Sequence, residues 1–177
     1  MIEARIRPGR LRQLGPVNWL LWRVISRGAG TSDAQLFSTL GRTGGLYRGW
    51  LYYSARLLAG NRLGRHDSEL VILRVAHLRD CAYEFEHHRR LSRRAGVTAA
   101  ELAGVTAGPD APAWSPRHRA LLAAVDQLVE TKALDDAGWA ALAEHYDERR
   151  LIQIVLLVTQ YDGLATTIGA LGITPDP

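Results

Sequence analysis

A thiol, a carboxylate and an imidazole share one face of a predicted helix near the middle of the chain. The segment 81–88 reads Cys-Ala-Tyr-Glu-Phe-Glu-His-His. Because side chains three, four and seven residues apart lie on the same face of an α-helix, Cys81, Glu84 and His88 form one stripe. His87 lies further round the helix from Cys81, and we expect it to face solvent or to be structural. The stripe could hold a hydrogen-bonded acid/base pair, Glu84 with His88, or a thiol nucleophile at Cys81.

A second carboxylate is predicted to join this stripe from the preceding helix. Asp67 has the residue type of an N-cap, and the apolar residues after it recur at helical spacing up to Ala76. Glu69 would then lie at the start of a helix, twelve residues before Cys81. A bend at residues 79–80 must turn the chain for Glu69 to approach the stripe.

The composition predicts one globular domain, residues 1–177, of a cytoplasmic protein. The chain has 47% hydrophobic residues and a single cysteine, so it can bury a core and cannot form an internal disulfide. That cysteine count fits a reducing compartment. The apolar runs are shorter than the ~20 residues that a bilayer requires, so we expect no membrane segment.

The net charge of +4 comes mostly from arginine. Arginines cluster at the start of the chain and directly after the stripe, but no nucleic-acid-binding signature accompanies them. We therefore expect no nucleic acid partner. A positive field would instead attract a small anionic substrate.

Helix start and stop residues are frequent and strand patterns are scarce, which predicts an all-α fold. Gly96 would end the stripe's helix, and Thr98 with Glu101 forms a capping-box pattern for a helix to about Val105. Further N-cap residues precede three later helices: Ser115 (a helix to about Thr131), Asp135 or Asp136 (to about His145) and Asp147.

Two regions outside the stripe suggest an extension and an interface. Residues 1–60 contain several glycines that break them into short pieces, which predicts a loosely helical N-terminal extension. The last helix, from Asp147, is apolar on most sides, and Gly163 and Gly169 would allow close approach of another backbone. We expect a homo-oligomer.

Residues 60–173 resemble the carboxymuconolactone decarboxylase and alkylhydroperoxidase D-like family. The resemblance implies a bundle of about six helices, with motif-bearing helices over 61–107 and C-terminal helices over 114–173, assembled as a trimer or hexamer with the site near a subunit contact. It is carried by these segments, in order: Glu69, Ile72 to Ala76, Cys81 to Phe85, His88, Ala95 to Thr98, Gly108 to Asp110, Trp114 to Pro116 and Ala170 to Ile173.

The peroxidase branch of this family implies a proton relay of glutamate, histidine and two cysteines. Glu69, Cys81 and His88 match it, but Tyr83 stands at the position of the middle histidine and Glu84 at that of the second cysteine. A Cys-x-x-Cys peroxidase passes through an internal disulfide, which one cysteine cannot form. A single-cysteine peroxidase resolved by an external thiol remains an alternative. Since Asp80 and Glu84 oppose a thiolate, we expect Cys81 to be a poor nucleophile unless His88 is protonated.

The decarboxylase branch fits the residues present better. It would use Glu84 and His88 as an acid/base pair oriented by Glu69, with Tyr83 or Arg74 binding the carboxylate of a small organic acid or lactone. We predict this chemistry with no cofactor and no metal, since the carboxylate-to-histidine spacing of di-iron proteins occurs here without a second copy. A non-catalytic, oligomeric ligand-binding protein is the further alternative.

Overall fold

The computed structural model describes residues 4–59 and 62–176, and all regular secondary structure in these ranges is helical. The predicted all-α fold is confirmed, with six α-helices after residue 61 and three before residue 60 among the described residues. In chain order they are α1 (Leu11–Ala29), α2 (Gln35–Leu40), a 3-10 helix (Gly41–Thr43), α3 (Gly45–Leu58), α4 (Arg65–Leu78), α5 (Ala82–Arg94), α6 (Ala99–Ala107), α7 (Pro116–Thr131), α8 (Asp136–Ala143) and α9 (Glu148–Leu171).

The chain divides into two compact units. One consists of residues 57–165, and the other of residues 4–56 with 166–176. The boundary predicted between residues 60 and 61 lies outside the described residues. Every side chain of the predicted site belongs to the unit of residues 57–165.

The first sixty residues contain longer helices than the glycine pattern predicts. The 19 residues of α1 are interrupted at Gly15, whose φ of 72° and ψ of 168° are not helical, with Pro16 directly after it. From Pro16 the helix continues past Gly28 to Ala29 and ends where Gly30 adopts a left-handed conformation with φ 72°. The expected break does occur at Gly41, where a Cβ atom would come 2.4 Å from Leu14 Cδ2. Only glycine allows that close approach without displacing the Leu14 side chain.

Helix α4 is the central helix of the 57–165 unit. Its residues 67–76 are all buried, because α5, α6 and α7 pack around it. Leu70 and Leu73 form its contribution to an apolar cluster that also contains Val97, Val105, Ala111, Trp114 and Leu122. A side chain between residues 67 and 76 is therefore withdrawn from water whatever its polarity, and Glu69 is fully buried.

The predicted N-cap role of Asp67 is wrong. Helix α4 begins two residues earlier, at Arg65, with Gly64 in the N-cap position. Asp67 lies in the first turn, where its carboxylate accepts hydrogen bonds from Arg117 and from the Tyr146 hydroxyl. These tertiary partners, which lie 50 and 79 residues away, hold the carboxylate in place of a cap.

The bend predicted at residues 79–80 is confirmed. Asp80 has a left-handed φ of 48°, and the Cys81 N–H donates to the Ala76 carbonyl at 2.9 Å. A left-handed residue followed by this hydrogen bond ends a helix and reverses the chain. Cys81 consequently stands at the N-cap position of α5, beside the helix that carries Glu69.

The other predicted helix starts are also confirmed. The Thr98 and Glu101 capping box forms, and Ser115, Asp135 and Asp147 accept hydrogen bonds from backbone N–H groups in the first turns of α7, α8 and α9. Two helix ends differ by two residues from the predictions. Helix α6 extends to Ala107, and α8 stops at Ala143.

Helix α9 combines a buried face with an exposed apolar face. It is the one helix in the described ranges that could cross a membrane by length and composition, although a third of its most apolar window is buried and a core helix meets the same criterion. Ile154, Leu157 and Tyr161 are buried, whereas Ile152 and Leu156 are 60% and 40% exposed.

Candidate active site

A buried pair of Glu69 and His88 joins α4 to α5. His88 Nδ1 lies 2.7 Å from Glu69 Oε2, and both side chains are withdrawn from solvent. The other oxygen, Oε1, accepts a hydrogen bond from Arg65 at 2.6 Å. A carboxyl group that contacts one ring nitrogen fixes the orientation of an imidazole. Glu69 therefore orients the His88 ring alone, whereas the sequence-based prediction gave it the role of orienting a Glu84–His88 pair.

Glu84 does not pair with His88, so the predicted Glu84–His88 hydrogen bond is wrong. Glu84 is 2% exposed, and among the described residues no group of good geometry donates a hydrogen bond to either carboxyl oxygen. His88 instead forms its hydrogen bond with Glu69, which lies on α4. Glu84 interacts with the thiol of Cys81, one turn earlier on α5. The helical stripe thus divides into two pairs, Glu69–His88 and Cys81–Glu84.

Burial makes Glu84 an unusual carboxyl group. The pKa of Glu84 is raised from 4.5 to about 8, mainly because burial removes the carboxyl group from water. Interaction with the Cys81 thiol opposes this rise, and the nearby Asp162 adds to it. Burial disfavours the charged form of any carboxyl group, and here it outweighs the thiol contact. At pH 7 Glu84 is mostly protonated and can act as a proton donor.

Cys81 is held as a neutral thiol. Burial, followed by the charge of Glu84, raises its pKa to about 12, while backbone N–H groups at the start of α5 oppose the rise. The thiolate is the reactive form of cysteine. We expected a poor nucleophile because of the acidic neighbours of Cys81. In the structure, burial is the larger cause of the raised pKa.

Aromatic rings enclose the imidazoles. The ring of Tyr161 from α9 meets His88 edge to face, with centroids 5.2 Å apart. Tyr83, predicted to bind substrate, is buried and lies parallel to His87 at 6.5 Å. Burial lowers the pKa of His87 to about 4, so this ring is uncharged at neutral pH.

Arg74, the second predicted substrate-binding residue, is held within the protein. Its Nε and Nη2 donate to the two carboxylate oxygens of Asp126 at 2.6 and 2.7 Å, and Nη1 donates to the Val105 carbonyl at 2.7 Å. All three nitrogens of this guanidinium thus serve to join α4, α6 and α7. That placement gives Arg74 a structural role.

A cavity of about 260 Å³ reaches Cys81 from the end of α4 and the start of α5. Ala76, Ala82 and Phe85 supply its apolar wall, and His77, Asp80, Glu86 and Thr106 its polar wall. Neither Tyr83 nor Arg74 lines it, as far as the described residues define the wall. The volume fits a molecule of about one ring. Within the described residues, Cys81 is the one predicted catalytic residue on its wall, and Glu69, Glu84 and His88 are not among the lining side chains.

Arg65 is the site residue that the sequence analysis missed. It lies four residues before Glu69 on α4 and forms an ion pair with it. Opposite charges at this spacing commonly pair on a helix, so the spacing alone could have identified Arg65 once α4 was extended to its true start.

Comparison with known proteins relates this chain to a family. Residues 44–127, slightly less than half of the chain, match the Carboxymuconolactone decarboxylase family. This match supports the resemblance to the carboxymuconolactone decarboxylase and alkylhydroperoxidase D-like family.

Individual proteins are similar to this chain in sequence or in fold. The uncharacterized protein YdfG of Bacillus subtilis (strain 168) is 27% identical over 100 residues, which cover 55% of this chain and 68% of YdfG. A crystal structure of an alkylhydroperoxidase AhpD core, an uncharacterized peroxidase-related protein from Ralstonia eutropha JMP134, has a TM-score of 0.85 at 18% identity, covering 97% of this chain and 92% of that one. The debrominase Bmp8 has a TM-score of 0.84 at 16% identity, covering 99% and 94%. At these identities the two structures show the fold alone.

The raised pKa of Cys81 predicts a slow thiol. Wild-type protein at pH 7 should react with hydrogen peroxide or iodoacetamide at least about tenfold more slowly than a free cysteine, because so little thiolate is present. Intact mass spectrometry over time measures this rate, with Cys81→Ser as the blank. Rapid formation of a sulfenate that added thiol reverses would contradict the assignment of Cys81 as a neutral thiol.

Proposed function

We propose that this protein is an enzyme that transfers protons to and from a small carboxylated lactone or organic acid, with decarboxylation as the reaction. The observation that carries the proposal is a buried, protonated Glu84 beside a second pair, Glu69 and His88, in which the carboxylate orients the imidazole. A buried carboxyl group with a raised pKa, close in the fold to a carboxyl–imidazole pair, is an arrangement expected for acid/base catalysis.

Each side chain has a separate role in this reaction. Loss of carbon dioxide leaves an electron pair on the substrate as an enolate, and Glu84 donates its proton to the enolate carbon. Glu84 is then reprotonated from water. His88 takes up a proton from water at Nε2 and donates it in a hydrogen bond to the enolate oxygen, while Glu69 and Arg65 keep its ring oriented.

The cavity suits a substrate with one acid group better than one with several. Its polar wall contains Asp80 and Glu86, and Glu86 is partly neutralised by Arg89 at 2.7 Å. Carboxylates on the wall repel an anion, although the net charge of +4 draws anions to the protein from a distance. A lactone or organic acid with a single acid group therefore meets less repulsion there than a diacid.

A panel of carboxylated lactones and β-keto acids in deuterium oxide tests the proposal. The expected result is release of carbon dioxide with one deuterium incorporated at the carbon that loses it, and a large loss of rate in His88→Ala. An exposed glutamate changed in Glu130→Gln serves as the matched control. If peroxide is consumed with an external thiol and no member of the panel is turned over, the proposal is wrong.

Thiol chemistry at Cys81 is the second candidate. The position of Cys81 on the wall of the cavity favours it. A C82A variant of Bmp8, which has a similar fold at 16% identity, was crystallised in complex with 2,3,4-tribromopyrrole. This candidate requires Cys81→Ser to abolish turnover, whereas the acid/base proposal expects that variant to keep activity within about tenfold.

We also propose that the chain assembles with further copies of itself, as a trimer or hexamer, in the cytoplasm. The apolar side chains of Ile152 and Leu156 on α9 are exposed in the single chain, and a second copy would bury them. On α1, Val17, Leu20 and Val24 form another exposed apolar row at helical spacing.

Leu156→Glu is expected to dissociate the oligomer at micromolar concentration, because the charge would be buried without a partner at the interface. Light scattering coupled to size-exclusion chromatography measures the mass. Ala141→Glu, an exposed position on α8, is the matched control and should leave the mass unchanged. A monomeric wild-type protein would refute the assembly.

A further inference from the structure

Outside the candidate active site, the starts of α4 and α7 bring together two imidazoles and a carboxylate. His66, Asp67 and His118 each place one ligand atom within 4.8 Å of the other two. Asp67 precedes Glu69 by two residues, so the two carboxylates leave α4 on different sides. The acid/base chemistry proposed above uses none of these three residues.

The separations match the coordination shell of a small divalent metal ion. Asp67 Oδ1 lies 3.3 Å from His118 Nε2 and 3.6 Å from His66 Nδ1. Ligands that bind zinc tetrahedrally at about 2.0–2.1 Å stand roughly 3.4 Å from one another. Imidazole nitrogen and carboxylate oxygen are ligands that first-row divalent metals prefer, and three protein ligands leave a position for water.

Neighbouring side chains hydrogen-bond to the three candidate ligands and orient them, as is common around metal sites. His66 Nε2 lies 3.2 Å from Glu101 Oε1, and a histidine that gives its second N–H to a carboxylate keeps the first nitrogen free for a metal. The remaining oxygen of Asp67, Oδ2, accepts hydrogen bonds from Arg117 and from Tyr146, the latter at 3.1 Å. Oδ1 faces the two imidazoles and also accepts a long hydrogen bond from Arg117 Nη1 at 3.4 Å.

The charge balance sets the expected affinity. Asp67 and Glu101 carry two negative charges and Arg117 one positive charge, so the cluster can accept a cation. Arg117 Nη1 is 3.4 Å from His118 Nε2, and the guanidinium contacts both Asp67 oxygens and lies 4.7 Å over the Tyr146 ring. A bound ion must displace Arg117 Nη1 from the two ligand atoms, toward the solvent that the 40% exposed side chain already meets. Because Arg117 and the positive helix starts oppose a cation, we expect micromolar rather than nanomolar affinity.

We propose that His66, Asp67 and His118 form a binding site for one divalent first-row metal ion, such as zinc, which joins the start of α4 to the start of α7. The open position and the partial exposure of the two histidines allow the ion to enter from solvent. Its effect would be to fix the first turn of α4.

Zinc titration of metal-free wild-type protein by isothermal calorimetry tests this site. One equivalent should bind per chain, and thermal unfolding should shift upward with added zinc. His66→Gln and His118→Gln, whose amides can keep the neighbouring hydrogen bonds, should each weaken zinc binding by about 100-fold. Glu101→Gln should weaken it by about 10- to 100-fold, as loss of an orienting partner does.

Matched variants separate this site from other zinc ligands. His145→Ala, an exposed histidine on another part of the unit, and Cys81→Ser should both leave the affinity and stoichiometry unchanged. Circular dichroism of each metal-free variant verifies folding before titration. Absence of binding to folded wild-type protein, or binding that survives loss of both His66 and His118, would overturn the proposal.

Discussion

Glu84→Gln is expected to lower kcat/KM for the decarboxylated substrate by about 10²- to 10⁴-fold, the usual contribution of a positioned general acid. The amide has the shape of the protonated carboxyl group but cannot deliver its proton. Steady-state kinetics with a substrate identified in the deuterium experiment measure the effect. Glu130→Gln, at an exposed position on α7, should retain the wild-type rate.

The pH dependence of kcat/KM tests the same role of Glu84. Burial raises the pKa of Glu84 to about 8, so the acid form is present below pH 8 and is lost above it. Wild-type kcat/KM should therefore fall at alkaline pH with an apparent pKa near 8, and the residual activity of Glu84→Gln should lack this limb. An unchanged alkaline limb in the variant would remove Glu84 from the reaction.

The same substitution is expected to stabilise the fold at neutral pH. In the unfolded chain Glu84 ionises at about 4.5, whereas in the folded protein it ionises at about 8. Between these values the native state holds a proton that the unfolded state releases, so rising pH destabilises wild-type protein. Each pKa unit is worth about 1.4 kcal/mol, which makes the loss about 3 kcal/mol between pH 4.5 and pH 7.

Glutamine does not titrate, so the free energy of unfolding of Glu84→Gln does not fall with rising pH in this way. Relative to wild type, the free energy of unfolding of the variant should improve by about 3 kcal/mol from pH 4.5 to pH 7, or roughly 10 °C in Tm. The gain is complete above pH 8. Urea unfolding at several pH values measures it, with Glu130→Gln as the control. Parallel wild-type and variant curves would show that Glu84 titrates normally.

A variant that is more stable and nearly inactive is the expected signature of a catalytic group held at a cost to folding. A glutamate with a purely structural role would give the opposite result, since removing it would destabilise the protein. The two experiments on Glu84→Gln are thus independent tests of the same assignment.

The sequence predicted the helices because their signals are local. Capping residues such as Thr98, Ser115 and Asp147 act on backbone groups within one turn, and the bend at Asp80 satisfies carbonyls of the same helix. The misassigned start of α4 has a different origin. Asp67 is a good capping residue by type, but Arg117 and Tyr146 bind it, and no local pattern indicates partners so distant along the chain.

Helical spacing predicted that residues of α4 and α5 would lie close together, but not which of them would pair. Helical spacing aligned Glu84 with His88, yet His88 binds Glu69 because α4 lies against α5 at that point. The pKa of Glu84 likewise depends on how completely the surrounding helices exclude water. Arg74 illustrates the reverse error, since a cation beside a predicted site suggested substrate binding until its contact with Asp126 was visible.

The central claim is that Glu84 stays protonated at neutral pH, and its direct test is a carbon-13 NMR titration of protein labelled at glutamate carboxyl carbons. The resonance that disappears in Glu84→Gln identifies the group. An inflection near pH 8 is the predicted result. An inflection near pH 4.5 would mean that Glu84 is an ordinary carboxylate, and the proposed proton donor would be lost.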